Sequence, residues 1–87
     1  MADAVDLEAL ERELVGYLRD EILEPGVEID RETGLVSEGL VDSANLVRLA
    51  TFLERRTGLE IPDRDVSPEL FESVATILAY LGSRLDA

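Results

Sequence analysis

The chain has 87 residues, a hydrophobic fraction of 46% and a formal net charge of −12 at pH 7. This length predicts one domain over residues 1–87, and the hydrophobic fraction is too high for a disordered acidic tail. The absence of Cys and His excludes disulfides, thiolate metal sites and histidine-based catalysis, and the negative charge argues against partners such as nucleic acid or an anionic membrane surface.

The first predicted element is an amphipathic helix near the N-terminus. Its apolar face consists of residues at steps of three and four: Leu7, Leu10, Leu14, Leu18 and Ile22. Asp3 or Asp6 is expected to cap its start, and Pro25 with Gly26 to end it. The segment lacks the basic and apolar regions of a signal peptide, and no apolar run approaches the roughly 20 residues that span a bilayer. We therefore expect a cytoplasmic protein.

A long connection without sustained periodicity follows, from Glu24 to Asp42. Its apolar residues are expected to anchor it: Val27, Ile29, Leu35, Val36, Leu40 and Val41. Connections of this length are uncommon in compact domains and are usually functional or packed by their own side chains. The sequence therefore predicts a long, ordered loop between the first two helices.

A second helix is predicted to begin at Asp42 or Ser43 and to run to about Thr57. Its inner face consists of Leu46, Leu49, Ala50 and Leu53. Gly58 is well placed as a left-handed cap at the C-terminal end. Arg55 and Arg56 lie in the final turn, where cations complement the helix dipole.

The C-terminal third predicts a short helix followed by a long one. Ser67-Pro68-Glu69 is typical of a helix start, so a short third helix through Phe71 is expected. Ser73 is expected to cap the last helix. The apolar face of that helix consists of Val74, Ile77, Leu78, Leu81 and Leu85. Together the elements predict an all-α fold: a small four-helix bundle with three main helices and one short helix.

The acidic stretches do not fit a metal site. A calcium-binding loop starting at Asp63 would have Pro68 where glycine is required and Val74 where the bidentate acid belongs. A loop starting at Asp30 fails as well, since Val41 occupies its twelfth position. Glycine-rich phosphate loops and nucleophile elbows are also absent, so we expect neither a metal site nor an enzyme.

The turn from Gly39 to Ser43, which leads into the second helix, is the strongest candidate for a functional site. A hydroxyl in the first helical turn lies at the positive end of the helix dipole, beside unpaired backbone N–H groups. A phosphodiester attached there would be stabilised. From these residues alone, two alternatives stay open: a modification site, or a helix start that Asp42 or Ser43 merely caps.

The wider pattern resembles a known family. A Gly-x-x-Asp-Ser turn opens a leucine-striped helix, and an Ile-Pro-Asp loop follows about eighteen residues later. Over about residues 35–85 this resembles the phosphopantetheine-attachment domain of acyl and peptidyl carrier proteins. The resemblance implies that a phosphopantetheinyl transferase moves 4′-phosphopantetheine from coenzyme A to Ser43, and that Asp42 helps to orient this reaction. The thiol of the arm would carry substrates as thioesters, with no catalysis by the chain itself.

The resemblance also implies a partner surface beside Ser43, formed by Ala44, Leu46, Val47 and Arg48. Ala44 stands where the family often has Leu or Met, and the second helix is more basic than is usual there. We therefore expect a dedicated carrier in polyketide or nonribosomal peptide assembly, and the net charge of −12 favours a monomer because like-charged patches repel. Its partners would be the transferase, an acyl- or aminoacyl-loading enzyme and a downstream synthase.

The alternative, from another functional class, is an unmodified acidic helical adaptor. Such a protein would bind a basic partner by charge, and its complexes would weaken as salt is added.

Overall fold

A computed structural model describes residues 6–86. It contains three α-helices, α1 (Leu7–Tyr17), α2 (Ser43–Thr57) and α3 (Val74–Asp86). A π-helical turn, Leu18–Ile22, continues α1, and a short 3₁₀ turn spans Asp63–Asp65. No strand occurs within residues 6–86, so the prediction of a small all-helical fold is confirmed for this range.

The start of α1 follows the sequence prediction, and the helical segment ends before Pro25 as expected, although in a π turn that was not predicted. Asp6 caps the helix, since its carboxylate accepts the backbone N–H groups of Glu8 and Ala9 at 3.0 and 3.4 Å. The alternative cap, Asp3, lies outside the described residues. At the other end the helix widens into the π turn, in which the Leu23 N–H donates to the carbonyl of Leu18 at 2.7 Å. This wider turn ends the helix before Pro25 and leaves both leucines buried.

The bounds and the C-terminal cap of α2 agree with the sequence prediction. Gly58 follows the last helical residue with φ of 76°, in the left-handed region. Its N–H donates to the carbonyl of Glu54 at 2.8 Å, which satisfies a carbonyl that the helix end would otherwise leave unpaired.

Gly58→Ala is expected to lower the free energy of unfolding by about 1–2 kcal/mol, because a residue with a Cβ atom is strained in the left-handed region. Gly16→Ala, in the last turn of α1 where the helical segment continues into the π turn, is the matched control. It is expected to raise the free energy of unfolding by about 0.5–1 kcal/mol through better helix propensity. A Cβ atom meets nothing within 4 Å at either position, so packing does not confuse the comparison. Urea unfolding measures both effects, and equal effects would contradict the assigned conformations.

The predicted short helix after Ser67 is not formed. This segment makes one hydrogen-bonded turn, closed by the Phe71 N–H and the Ser67 carbonyl at 3.0 Å, and then stops. Ser73 caps α3 as predicted: its hydroxyl accepts the Thr76 N–H at 3.1 Å, and the Thr76 hydroxyl accepts the Ser73 N–H at 3.0 Å. This reciprocal cap begins two residues after Phe71, which leaves no room for a second turn. Because a single turn gains one bond for several fixed residues, the short segment does not propagate into a helix.

The hydrophobic core joins the three helices and the connecting loops. The helices supply most of it, with Leu14, Leu49, Leu53 and Leu81 at 0% exposure. The connections supply further buried residues: Leu23, Leu35, Val41, Ile61 and Phe71. The long loop is therefore part of the core, as predicted. Among the described helices, none has both the length and the apolar character needed to cross a membrane.

Candidate functional site

Ser43 is the first residue of α2 and is exposed to solvent. The capping of this helix falls to Asp42, whose carboxylate accepts the Asn45 N–H at 2.9 Å and whose carbonyl accepts the Leu46 N–H at 2.9 Å. The Ser43 hydroxyl makes no hydrogen bond with any residue in the range 6–86. The sequence left either residue as the possible cap. In the structure Asp42 caps the helix, so the Ser43 hydroxyl is not needed as a cap.

The surroundings of the Ser43 hydroxyl suit an attached anion. Among residues 6–86, the backbone N–H groups of Ser43 and Ala44 have no acceptor. They point out of the N-terminal end of a 15-residue helix, where the dipole contributes about half a positive elementary charge. Since a phosphodiester at this place would meet N–H donors and a favourable field, the residues present fit a phosphate-linked group on the hydroxyl.

The turn that precedes Ser43 is tightly folded and anchored at both ends. Leu35 and Val41 are buried, with exposures of 0% and 3%. The carbonyl of Leu35 accepts two backbone N–H groups, those of Leu40 and Val41, each at 2.9 Å. These bonds join the end of the turn to its first residue, Leu35. They fix the position from which Asp42 and Ser43 enter α2.

Glu72, which precedes α3, holds this turn against the last helix. Its backbone carbonyl accepts the Leu35 N–H at 2.5 Å. Its carboxylate accepts both the backbone N–H, at 3.1 Å, and the hydroxyl of Ser37. A Cβ atom on Gly34 would collide with the Ser37 hydroxyl and the Glu72 carboxylate, so the contact requires glycine there. The sequence analysis missed Glu72, because nothing in the local pattern reveals a contact across 35 positions.

The same contact predicts a pH dependence of stability. The hydrogen bond from the Ser37 hydroxyl is the largest influence on Glu72, and it lowers the pKa of the carboxyl below its ordinary value of 4.5. A group with a lowered pKa in the folded state stabilises the protein above its unfolded pKa, and this contribution is lost as the pH falls through the folded pKa. We therefore expect wild type to be more stable than Glu72→Gln at pH 7, with a gap that closes below about pH 4.5.

Urea titrations of both proteins at several pH values between 7 and 3 measure that gap. Glu69→Gln is the matched control, because Glu69 is exposed and makes no ion pair within residues 6–86. A gap between wild type and Glu72→Gln that is independent of pH would contradict the assigned role of the Glu72 carboxylate.

The expected partner surface is only partly exposed. Ala44, Val47 and Arg48 lie on the solvent side of α2, and Val47 is 60% exposed. Leu46 is only 6% exposed and packs in the core, which corrects its inclusion in the surface. The physical reason is helical spacing, since Leu46 lies on the same inner face as Leu49.

The acidic loop after α2 is held by side chains of α3. The Tyr80 hydroxyl donates to the Asp65 carboxylate at 2.6 Å and accepts from the Arg84 guanidinium at 2.7 Å. Arg84 also donates to the carbonyl of Glu60 at 2.9 Å. Burial, followed by the hydrogen bond to Asp65, raises the pKa of Tyr80. In the described part of the chain, no three acidic side chains converge as a metal site.

These features are those of a helical domain that presents one serine hydroxyl at a helix start. A comparison with protein-family models finds a match to the phosphopantetheine attachment site over residues 12–81. The chain therefore belongs to the phosphopantetheine-attachment family, whose members carry 4′-phosphopantetheine covalently. This confirms the resemblance and the predicted cofactor. No curated protein matches the sequence.

The family also sets the general kind of partner. Its domains are generally carriers without catalytic activity, and they interact with phosphopantetheinyl transferases and with synthase enzymes.

Proposed function

We propose that this chain is an acyl or aminoacyl carrier protein in which the hydroxyl of Ser43 carries the 4′-phosphopantetheine arm. The observation that supports this is the hydroxyl at the start of α2, which is exposed and makes no hydrogen bond within residues 6–86. It lies inside the range 12–81 that matches the family model. Two backbone N–H groups without acceptors in residues 6–86 lie beside it. The arm supplies a thiol that holds substrates as thioesters. The chain provides the attachment point and catalyses no step itself.

Asp42 is proposed to orient the modification. One oxygen of its exposed carboxylate, Oδ1, accepts the Asn45 N–H, which holds the side chain beside Ser43. The other oxygen, Oδ2, makes no hydrogen bond within residues 6–86. It is therefore free to accept a donor from the transferase, or to contact the magnesium ion that the transferase binds.

Intact mass spectrometry after incubation with coenzyme A and a promiscuous phosphopantetheinyl transferase tests the proposal. We expect the mass to rise by one phosphopantetheine, and fragmentation to place the gain on the peptide that contains Ser43. No gain under conditions that modify a known carrier would contradict the proposal. That result would favour an unmodified acidic adaptor, whose binding to a basic partner should weaken with added salt.

We further propose that the carrier serves a specialised cytoplasmic pathway, polyketide or nonribosomal peptide assembly, as a monomer. The departures at Ala44 and Arg48 support the specialised pathway, because both residues are exposed next to Ser43, where a transferase, a loading enzyme and a synthase must all approach. The net charge of −12 supports the monomer, because like-charged patches repel. Loading of the modified protein by acyl and by aminoacyl ligases distinguishes the two pathways. We expect transfer from one class of ligase only.

A further inference from the structure

An apolar groove with basic edges runs along α2, one turn beyond Ser43. Its floor is the stacked pair of Tyr17 and Phe52, whose ring centroids lie 4.2 Å apart with the planes 10° from parallel. Val47 forms its exposed apolar wall. The volume is about 270 Å³, just below the roughly 300–1,000 Å³ typical of pockets for small-molecule ligands. A groove of this size suits protruding side chains of another protein.

The edges of the groove carry positive charge. Arg48 and Arg55 line it, and no carboxylate does. Arg48 is paired with Glu21 at 3.7 Å, whereas Arg55 has no acidic partner within 4 Å among residues 6–86. Three other grooves on the described surface differ in this respect, because Glu8, Glu11 or Glu28 lines each of them.

The positive charge is a property of α2 as a whole. This helix holds three of the eight basic residues and one of the twenty acidic residues. It therefore carries a formal charge of +2, and the rest of the chain carries −14. The single acid, Glu54, is occupied, since its carboxylate accepts the Ile61 N–H at 2.7 Å. The formal charge of the helix that presents Ser43 thus has the opposite sign from that of the whole protein. Glu21 and Glu13 pair with Arg48 and Arg56, so Arg55 is the arginine of this helix without an acidic partner within residues 6–86.

A docked partner responds to the local charge rather than to the net charge. At physiological ionic strength the Debye length is about 8 Å, whereas the protein extends 38 × 25 × 19 Å. Charges on the far side are therefore largely screened at the groove. The net charge of −12 affects solubility and long-range encounter, and Arg48 and Arg55 determine which sign is favoured at contact.

We infer that this groove docks a partner protein that presents an aliphatic or aromatic side chain surrounded by Asp and Glu. The apolar side chain packs against Val47 and the Tyr17–Phe52 stack, and the acids face Arg48 and Arg55. The inference rests on the proposed function in one respect: a partner that acts at Ser43 covers Val47, which lies one helical turn away on the same face. The preferred partner surface is therefore acidic, opposite to the basic surface that the net charge suggests.

Two synthetic helical peptides test this surface. Both carry one central Phe, flanked by Glu in the first peptide and by Lys in the second, and each is titrated into the ¹⁵N-labelled protein at 0.15 M salt, about physiological ionic strength. We expect the Glu peptide to shift the amide signals of residues 47–55. The Lys peptide should shift signals at acidic surfaces away from α2. A Glu peptide that leaves residues 47–55 unshifted would overturn the inference.

Variants of the groove provide the matched comparison. Arg55→Glu is expected to weaken binding of the Glu peptide by roughly two- to tenfold, as for an exposed charge contact that is reversed. Arg64→Glu changes the net charge equally, but its site is the exposed 3₁₀ turn outside the groove, so it should leave the affinity nearly unchanged. Equal weakening by both variants would show that net charge governs binding, and would overturn the inference.

The peptide experiment tests the docking surface and the mass measurement tests the carrier function, so a negative result in one does not imply a negative result in the other. Ser43→Ala removes the proposed attachment point without altering the groove, so it should bind the Glu peptide as wild type does. If the mass gain is absent while the Glu peptide still binds at residues 47–55, the carrier function is contradicted and the docking surface is supported. If modification occurs but the peptide does not bind at α2, the docking surface is contradicted and the carrier function is supported.

Discussion

Ser43→Ala is expected to abolish the gain of phosphopantetheine mass completely, with little change in stability. The loss is total because the proposed attachment is through the Ser43 oxygen, and alanine has no atom to replace it. The stability should stay within about 0.5 kcal/mol of wild type, because the hydroxyl makes no hydrogen bond within residues 6–86 and alanine suits a helix. Intact mass spectrometry and urea unfolding on the same samples measure both quantities.

Two further variants separate attachment from capping. Asp42→Ala removes the cap of α2 and should cost about 1 kcal/mol of stability. It retains the Ser43 hydroxyl, the proposed attachment point, so modification should continue at a lower rate. Ser37→Ala removes the hydroxyl that binds Glu72 in the same turn, yet its mass gain should be complete. A full mass gain in Ser43→Ala would show that the arm is attached to another residue. A large loss of stability in Ser43→Ala would show that the hydroxyl has a structural role.

The helices were predictable because their information is local. Leucines at steps of three and four, a capping Asp or Ser, and Gly58 after the last turn all act within a few residues. The predictions that rest on them, the bounds of α2 and the Ser73 cap of α3, are confirmed. The inward-facing spacing also contained the information that Leu46 is buried. Its inclusion in the partner surface followed from its nearness to Ser43 in sequence, which ignores the direction of the side chain.

The contacts that position the site were not predictable, because they join distant segments. Glu72 and Ser37 are separated by 35 positions, and the Glu60 carbonyl and Arg84 by 24. Neither pair has a sequence signal, since exposed acids and hydroxyls occur throughout this chain. The short helix after Ser67 failed for a related reason. A good start signal does not form a helix when the next helix begins before a second turn can close.

The groove beside α2 shows that composition alone also does not predict the charge that a docked partner meets. Composition gives a net charge of −12, which predicts a basic partner. The arrangement in space places Arg48 and Arg55 along an apolar surface without a carboxylate lining it. Composition therefore describes the long-range field of the molecule, and only the fold shows which sign a docked surface meets.

Leu35→Ala is expected to lower the free energy of unfolding by about 2–5 kcal/mol, although Leu35 belongs to a loop. Its side chain is 0% exposed within the core, so truncation removes apolar contacts and leaves a cavity. The backbone bonds of residue 35 to Glu72, Leu40 and Val41 do not depend on the side chain and should persist. For 87 residues the total stability is about 4–13 kcal/mol, so this single loop residue supports a large part of it.

Val47→Ala is the matched control for that loss, because Val47 is 60% exposed and its truncation should change stability by no more than about 0.5 kcal/mol. Urea unfolding followed by circular dichroism compares the two variants with wild type. A large loss for Leu35→Ala alone would establish that the long loop is part of the core in solution, and that the turn before Ser43 is held by packing. Equal and small losses would mean that the loop is not packed as the structure shows, and that Glu72 and Ser37 hold the turn without support from Leu35.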